Sequence, residues 1–288
     1  MEYLIHLAIL IGIYVILSES LNLVVGYAGL LSVTHAAFYG IGAYATAICM
    51  TSLGVNFFLS LLIGIAVSVL VSVLMGFVLS RFRDDYYALA SLGFNVIAFS
   101  VFLNWNALTG GAFGIPGIER PNFLGVVFSS PLAFLLLVAI CVALVHLFSK
   151  FIVDSSFGRA LKGIREDEEA LRVFGYETHF YKLIIFAIGA GLAALAGSLY
   201  ASYITYIDPT GFTINESIFI LVIIILGGLA NLKGSIAGAI VLVLLPELLR
   251  FIGMPNEIAA QMRQLIYGAM LVLLMLYRPK GFLGEYRI

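Results

Sequence analysis

Charge is what this sequence has least of. Acidic and basic residues make up 11% of its 288 positions, against about a quarter in soluble domains. None occurs between Glu19 and Arg81, or between Asp85 and Glu119. Runs of that length cannot cover a water-facing surface, so an ordinary soluble domain is excluded. A net charge of −1 leaves no basic footprint for nucleic acid. Cysteine is nearly absent: Cys49 and Cys141 both lie in apolar segments and read as small core residues, with no disulfide or metal-ligand spacing. The chain also lacks G-x-x-x-x-G-K-[ST], H-E-x-x-H and G-x-S-x-G. No nucleotide-binding loop and no hydrolytic chemistry are therefore assigned, and no catalytic, cofactor or metal site. The opening stretch, Met1 to Leu17, lacks a basic start and a small-residue cleavage site, which predicts a retained helix rather than a signal peptide.

What is present is apolar and continuous. Hydrophobic residues are 62% of the chain, with mean hydropathy +1.10. A bilayer span needs about 20 apolar residues, and unbroken rather than alternating apolar runs argue against a β-barrel. Spans are expected at about 3–17, 21–50, 55–80, 86–103, 131–149, 183–203, 217–231, 234–250 and 263–277. The reading is an all-α polytopic integral membrane protein in one domain, 1–288, with eight to ten helices. Segment 21–50 is too long and glycine-rich for one simple helix, which predicts a broken second helix. Grouping the 81–85 turn, the 150–182 loop, the 231–233 turn and the C-terminus puts twelve Lys and Arg on one side and three on the other. That asymmetry makes the 150–182 loop cytoplasmic and the 104–130 loop external.

One stretch breaks the apolar pattern. Residues 158–175, "GRALKGIREDEEALRVFG", carry eight of the 31 charges. Asp154, Ser155 and Ser156 are N-cap candidates. The acids Glu166, Asp167, Glu168 and Glu169 precede Arg172, as a helix dipole favours. Gly175 is placed to end the helix in a left-handed conformation. Two short amphipathic helices follow from this. The plainer reading is a solvated loop or a helix resting on headgroups. Four consecutive acids oppose anionic lipid and fit a protein partner better.

"EALRVFG", with Glu169, Ala170 and Gly175, resembles the cytoplasmic E-A-A-x-x-x-G signature of bacterial ABC importer permeases; Leu171 replaces the second alanine. "LNLVVGYAGLLSVTHAAFYGIGAY" (21–44), "LTGGAFGIPGI" (108–118), "ILGGLANLKGSIAGA" (225–239) and "RPKGFLG" (278–284) resemble the branched-chain amino acid permeases, and within them the M-type subunit. The likeness runs in order from about residue 10 to 284. It implies a subunit that pairs with a homologous H-type permease, binds two cytoplasmic ATPases that hold Mg-ATP, and receives cargo from a substrate-binding protein. The setting would be the cytoplasmic membrane of a bacterium or archaeon, in contact with lipid. The cargo implied is leucine, isoleucine and valine, with urea, short amides or other amino acids as the same-family alternative. By that resemblance the coupling surface comprises Gly158, Arg159, Leu161, Arg165, Glu166, Asp167, Glu169, Ala170, Phe174 and Gly175.

The other stretches have physical readings of their own. Glycine and alanine in 21–44 let helices approach closely, and its polar groups suit a water-filled path. Asn22, Gly26, Gly29, Ser32, His35, Tyr39, Gly42 and Tyr44 are the translocation-path candidates, with plain packing as the simpler account. Thr109, Gly110, Gly111 and Gly114 mark an ordered outer loop near the mouth, or a flexible one. A stand-alone secondary transporter is the competing reading: proton-coupled carriers usually hold an ionisable residue in the membrane, for which His35 and Glu247 are the candidates, and sodium coupling through carbonyls and hydroxyls stays open. A membrane-embedded enzyme has no residues to support it.

Overall fold

A computed structural model describes residues 2–80, 82, 84–123, 126–128 and 130–251, and scattered positions between 262 and 284. The chain is a helical bundle with apolar spans and two short charged helices: α1 (Glu2–Leu21), α2 (His35–Leu53), α3 (Phe57–Leu79), α4 (Asp84–Asn104), the short α5 (Asn106–Thr109) and α6 (Pro131–Asp154) come first. Then follow α7 (Ser156–Glu166), α8 (Glu168–Val173), α9 (Thr178–Ile204), α10 (Ile214–Gly227) and α11 (Leu232–Phe251). Four two-residue strands, β1 (Ile115–Pro116), β2 (Asn122–Phe123), β3 (Val126–Val127) and β4 (Tyr206–Ile207), brace the loops beyond α4 and α9. Local signals set the boundaries. Asn56 caps α3 by accepting from the Phe58 N–H, and Ser130 caps α6 ahead of Pro131 in its first turn.

Six helices among the described residues are long and apolar enough to cross a bilayer, and the protein is a multi-pass membrane protein. Two expectations change in detail, and a third is not reached by the described residues. The break in 21–50 falls between helices: α1 runs on through a π-helical turn (Asn22–Tyr27), the chain extends through 28–34, and α2 begins at His35. The expected spans 217–231 and 234–250 form a pair bent by 120°, so the described helices make six spans, or seven with that pair counted once. The expected span 263–277 lies outside the described residues, apart from scattered positions.

Helices α2 and α9 form the densest part of the core. A Cβ at Gly42 would lie 2.3 Å from the Ala194 carbonyl oxygen, and one at Gly197 would lie 2.0 Å from the Tyr39 carbonyl oxygen. The two backbones therefore touch, as small residues permit in lipid, where tails offer no hydrophobic drive between helices. Thr46 donates to Ser198 at 2.7 Å across the same seam, and Ser68 of α3 donates to the Ala190 carbonyl. Aromatic rings fill the space beyond it: Phe38 packs on Phe94 and Phe186, and Tyr44 stacks on Phe102.

The turn between α10 and α11 lies inside the bundle. Ala230 holds φ 57° there. Asn22 accepts from the Ala230 N–H and donates to the Asn231 carbonyl and the Ser235 hydroxyl. Phe282 and Leu283 donate their N–H groups to the Leu226 and Gly227 carbonyls. Exposed backbone at membrane depth is tolerated only when satisfied in this way.

Candidate functional site: the charged loop and the break above it

The 158–175 stretch folds as the sequence indicates, as two short helices outside the spans. Ser155 caps α7 by accepting from the Gly158 N–H, and Asp167 caps α8 by accepting from the Ala170 N–H at 2.9 Å. At the far end Tyr176 N–H bonds the Leu171 carbonyl and Gly175 N–H bonds the Arg172 carbonyl, the paired bonds of a Schellman motif. Gly175 sits at φ 85°, which only glycine adopts without strain.

The ten residues expected to couple divide into two sets. Gly158 and Leu161 are buried, anchoring α7 beneath the bundle, and Arg165 hydrogen-bonds the Gly26 carbonyl at the end of the π-helical turn. Asp167 is occupied by its cap and Ala170 is half-buried. Arg159, Glu166, Glu169, Phe174 and Gly175 face outward. Phe174 is 81% exposed, and beside it Val173 is 87% exposed. Two apolar side chains at the end of a polar helix are thus held away from the bundle.

A clamp ties this tip to a membrane span. Glu168 accepts from Arg172 at 2.6 Å and from the Thr178 hydroxyl at 2.9 Å, and its second oxygen pairs with Lys182 of α9. Arg172 also donates to Thr178 at 2.9 Å. Burial alone would raise the Glu168 carboxyl, but the Lys182, Thr178 and Arg172 contacts outweigh it and hold the group below the usual carboxylate range. Sequence reading placed Glu168 in the acidic run, matched Arg172 to the helix dipole and counted Lys182 only toward the orientation of the spans. The signal was available in the i, i+4 spacing of Glu168 and Arg172, whereas the pairing to Lys182 depends on how α8 turns back onto α9.

Above the loop lies a cleft of about 470 Å³, lined by Gly29 and Leu31 from the break, Tyr87 from α4, and Arg165, Glu169 and Lys182. Gly29 has φ 71°, and a Cβ there would lie 2.8 Å from the Arg165 side chain. The break and the charged loop are therefore one piece of structure.

The other path candidates lie inward. Asn22, Gly26, Ser32, His35, Tyr39, Gly42 and Tyr44 are buried among this chain's own helices. Asn22 closes the inner turn, Gly42 lies on Ala194, and Tyr39 packs on Tyr200 and Phe212. Ser32 and Thr34 share a hydrogen bond at 2.8 Å. Among the described residues neither His35 ring nitrogen nor the Tyr44 hydroxyl has a hydrogen-bond partner of good geometry. In the loop after α4 Thr109 donates to the Phe102 and Trp105 carbonyls, and Gly110 and Gly111 turn the chain with positive φ. Gly114 passes so close to Ile207 that a Cβ would lie 2.0 Å from its carbonyl oxygen. Next to it β1 runs antiparallel to β4.

Two intramembrane acids went unremarked as sites in the sequence. Glu19 is fully buried in α1 and bonds His146 of α6 at 2.7 Å. Glu216, in the first turn of α10, accepts from the Tyr14 hydroxyl at 2.7 Å. Glu247, the ionisable candidate named beside His35, bonds Tyr3.

Residues 3–275 match the family described as branched-chain amino acid transport system / permease component. The chain is 35% identical to the high-affinity branched-chain amino acid transport system permease protein LivM of Escherichia coli strain K12, over 97% of this chain and 69% of the relative. It is 27% identical to the probable branched-chain amino acid transport permease protein LivM of Methanocaldococcus jannaschii, over 95% and 91%. To the E. coli permease protein LivH it is 23% identical, over 94% and 91%. No solved structure matches. The polytopic bundle and this agreement along nearly the whole chain lead to one conclusion: the protein belongs to the branched-chain amino acid transport permease family.

Proposed function

We propose that this chain is one permease subunit of an ATP-driven importer of branched-chain amino acids. It pairs with a homologous H-type subunit to enclose the path. Two ATPases, which bind Mg-ATP, dock on α7 and α8 from the cytoplasm, and a substrate-binding protein delivers cargo at the opposite end, near the loop that carries Gly110, Gly111 and Gly114. The membrane is the cytoplasmic one. ATP hydrolysis belongs to the partners, since this sequence has no phosphate-binding loop of its own.

The observation that carries the reading is the α7–α8 unit. Its outer tip presents Val173 and Phe174, its inner side is fixed by Leu161 and Arg165, and Glu168 fastens it to α9 through Lys182. A push on the tip has two rigid routes into the bundle: through Lys182 into the longest span, and through Arg165 into the break at Gly26 and Gly29. Switching between outward and inward access then follows from movement of the spans these routes reach.

The test is purification in mild detergent with assay of ATPase activity on what co-purifies, with and without leucine-loaded binding protein. A stimulated ATPase that Glu169→Arg releases supports the docking role. Leucine transport by the wild-type chain alone in liposomes, with no ATPase bound, would replace it with secondary transport. Stimulation by urea or a short amide in place of leucine would keep the class and change the cargo.

A further inference from the structure

Glu216 stands in the membrane without the usual compensation. Tyr14, its hydrogen-bond partner, sits midway along the span Glu2–Tyr27. The rise along a helix is uniform, so the carboxylate beside Tyr14 lies near half depth. A capping role would explain an acid here, because Thr213 and Glu216 fit the T-x-x-E pattern of a capping box. The structure does not use it: Thr213 makes no side-chain cap, and Glu216 turns to Tyr14. Among the described residues no cation pairs with Glu216.

The residue is also only half-buried, and Asn215 beside it is exposed. A carboxylate near the bilayer centre is costly, and such groups face a water-filled path or a partner rather than lipid. The Tyr14 ring, packed edge-on against Phe219, holds one carboxylate oxygen from behind. Among the described residues the other oxygen makes no hydrogen bond.

We infer that Glu216 is the point on the translocation path that receives the ammonium group of the passing amino acid, with Tyr14 fixing the carboxylate. This rests on the permease reading. The chemistry fits a zwitterion whose positive end needs an anionic contact at half depth. One singly held carboxylate gives a contact weak enough to release the cargo inward.

The test uses the complete transporter, reconstituted with its partners. In the wild-type complex, carbodiimide labelling of Glu216 is followed by mass spectrometry of its peptide. Saturating leucine should slow labelling, because an ammonium contact keeps the carboxylate charged and covered. Saturating 4-methylpentanoate, which has the side chain and carboxylate but no ammonium, should not. Equal labelling under all three conditions overturns the inference. Equal protection by both compounds overturns it too, since the effect would then belong to the side chain. In parallel, Glu216→Gln should assemble and keep ATP hydrolysis stimulated by loaded binding protein, while leucine uptake falls about tenfold, with Glu216→Asp recovering part of it. Full uptake by Glu216→Gln overturns the inference. So does loss of the H-type subunit from the Gln variant alone, which would make the acid a subunit contact. If the wild-type complex binds no ATPase or moves no leucine, the permease reading itself fails.

Discussion

The charged loop at 156–175 and the glycine-rich stretch at 22–44 invert the usual rules in opposite directions. The loop holds apolar side chains out in water, Val173 and Phe174 above all. The stretch holds polar side chains within the bundle, with Asn22, Ser32, Thr34 and His35 all buried. In the loop, backbone satisfaction comes from local caps at Ser155, Asp167 and Gly175. In the stretch it comes from distant groups: Asn22 reaches Ala230, and Ser217 accepts from both the Ala36 N–H and Asn95. A locally determined unit can change its outer residues to suit a partner without disturbing the membrane core. A unit held by distant groups can change little.

Four substitutions would break or sharpen that contrast. The largest effect is expected for Gly197→Leu, which forces a side chain into the Tyr39 carbonyl on α2. Overpacking costs about 1–3 kcal/mol and more where backbone blocks relaxation, so the amount of folded protein in the membrane should collapse, as read by quantitative blotting and thermal melting in detergent. A stable, abundant Leu variant would mean that the α2–α9 seam is loose. Next comes Phe174→Asp. An exposed apolar anchor is worth about 1–3 kcal/mol to a docked partner, so ATPase binding should weaken by roughly 10- to 100-fold while the melting temperature holds. A fall in stability with binding intact would move Phe174 into the fold.

Glu168→Gln should cost about 1–2 kcal/mol, because it leaves Lys182 and Arg172 without their shared anion. Transport per ATP should drop more than ATPase binding. The pH dependence follows from the depressed Glu168 carboxyl: its contribution is complete above the unfolded value of about 4.3 and disappears as pH falls through the lower folded value. Coupling should therefore be flat from pH 7 to 5 and differ from the Gln variant throughout that range; loss of coupling between pH 7 and 6 would assign it to another group. The smallest effect is expected for Gly175→Ala, at about 1 kcal/mol for a left-handed residue. It should leave folding of the spans unchanged and fray α8, measured as faster hydrogen exchange over 170–176.

The same contrast explains what could be read without a structure. The two loop helices, the Ser155 cap and the left-handed Gly175 are local, so charge order and spacing sufficed; that Asp167 caps α8 was masked by its place in a run of four acids. The six spans follow from apolar runs longer than a bilayer is thick. The placement of Asn22, Tyr39 and Tyr44 could not be read, because polar residues beside glycines look alike whether they line water or pack on another helix. The π-helical end of α1 and the bend at 228–231 depend on contacts between distant parts of the chain, such as that between Asn22 and Ala230. Glu216 was hidden by its position near the edge of an apolar run, and half depth emerges only once α10 is seen to begin beside the middle of α1.

The inner turn between α10 and α11 has a consequence in time. The carbonyls of Leu226 and Gly227 wait for the N–H groups of Phe282 and Leu283, which leave the ribosome much later. At about 5–20 residues per second of synthesis, the stretch from 226 to 282 takes roughly 3–11 s. Only the arrival of Phe282 and Leu283 supplies those two N–H groups, so the bend reaches its final hydrogen bonding after the spans before it have been made.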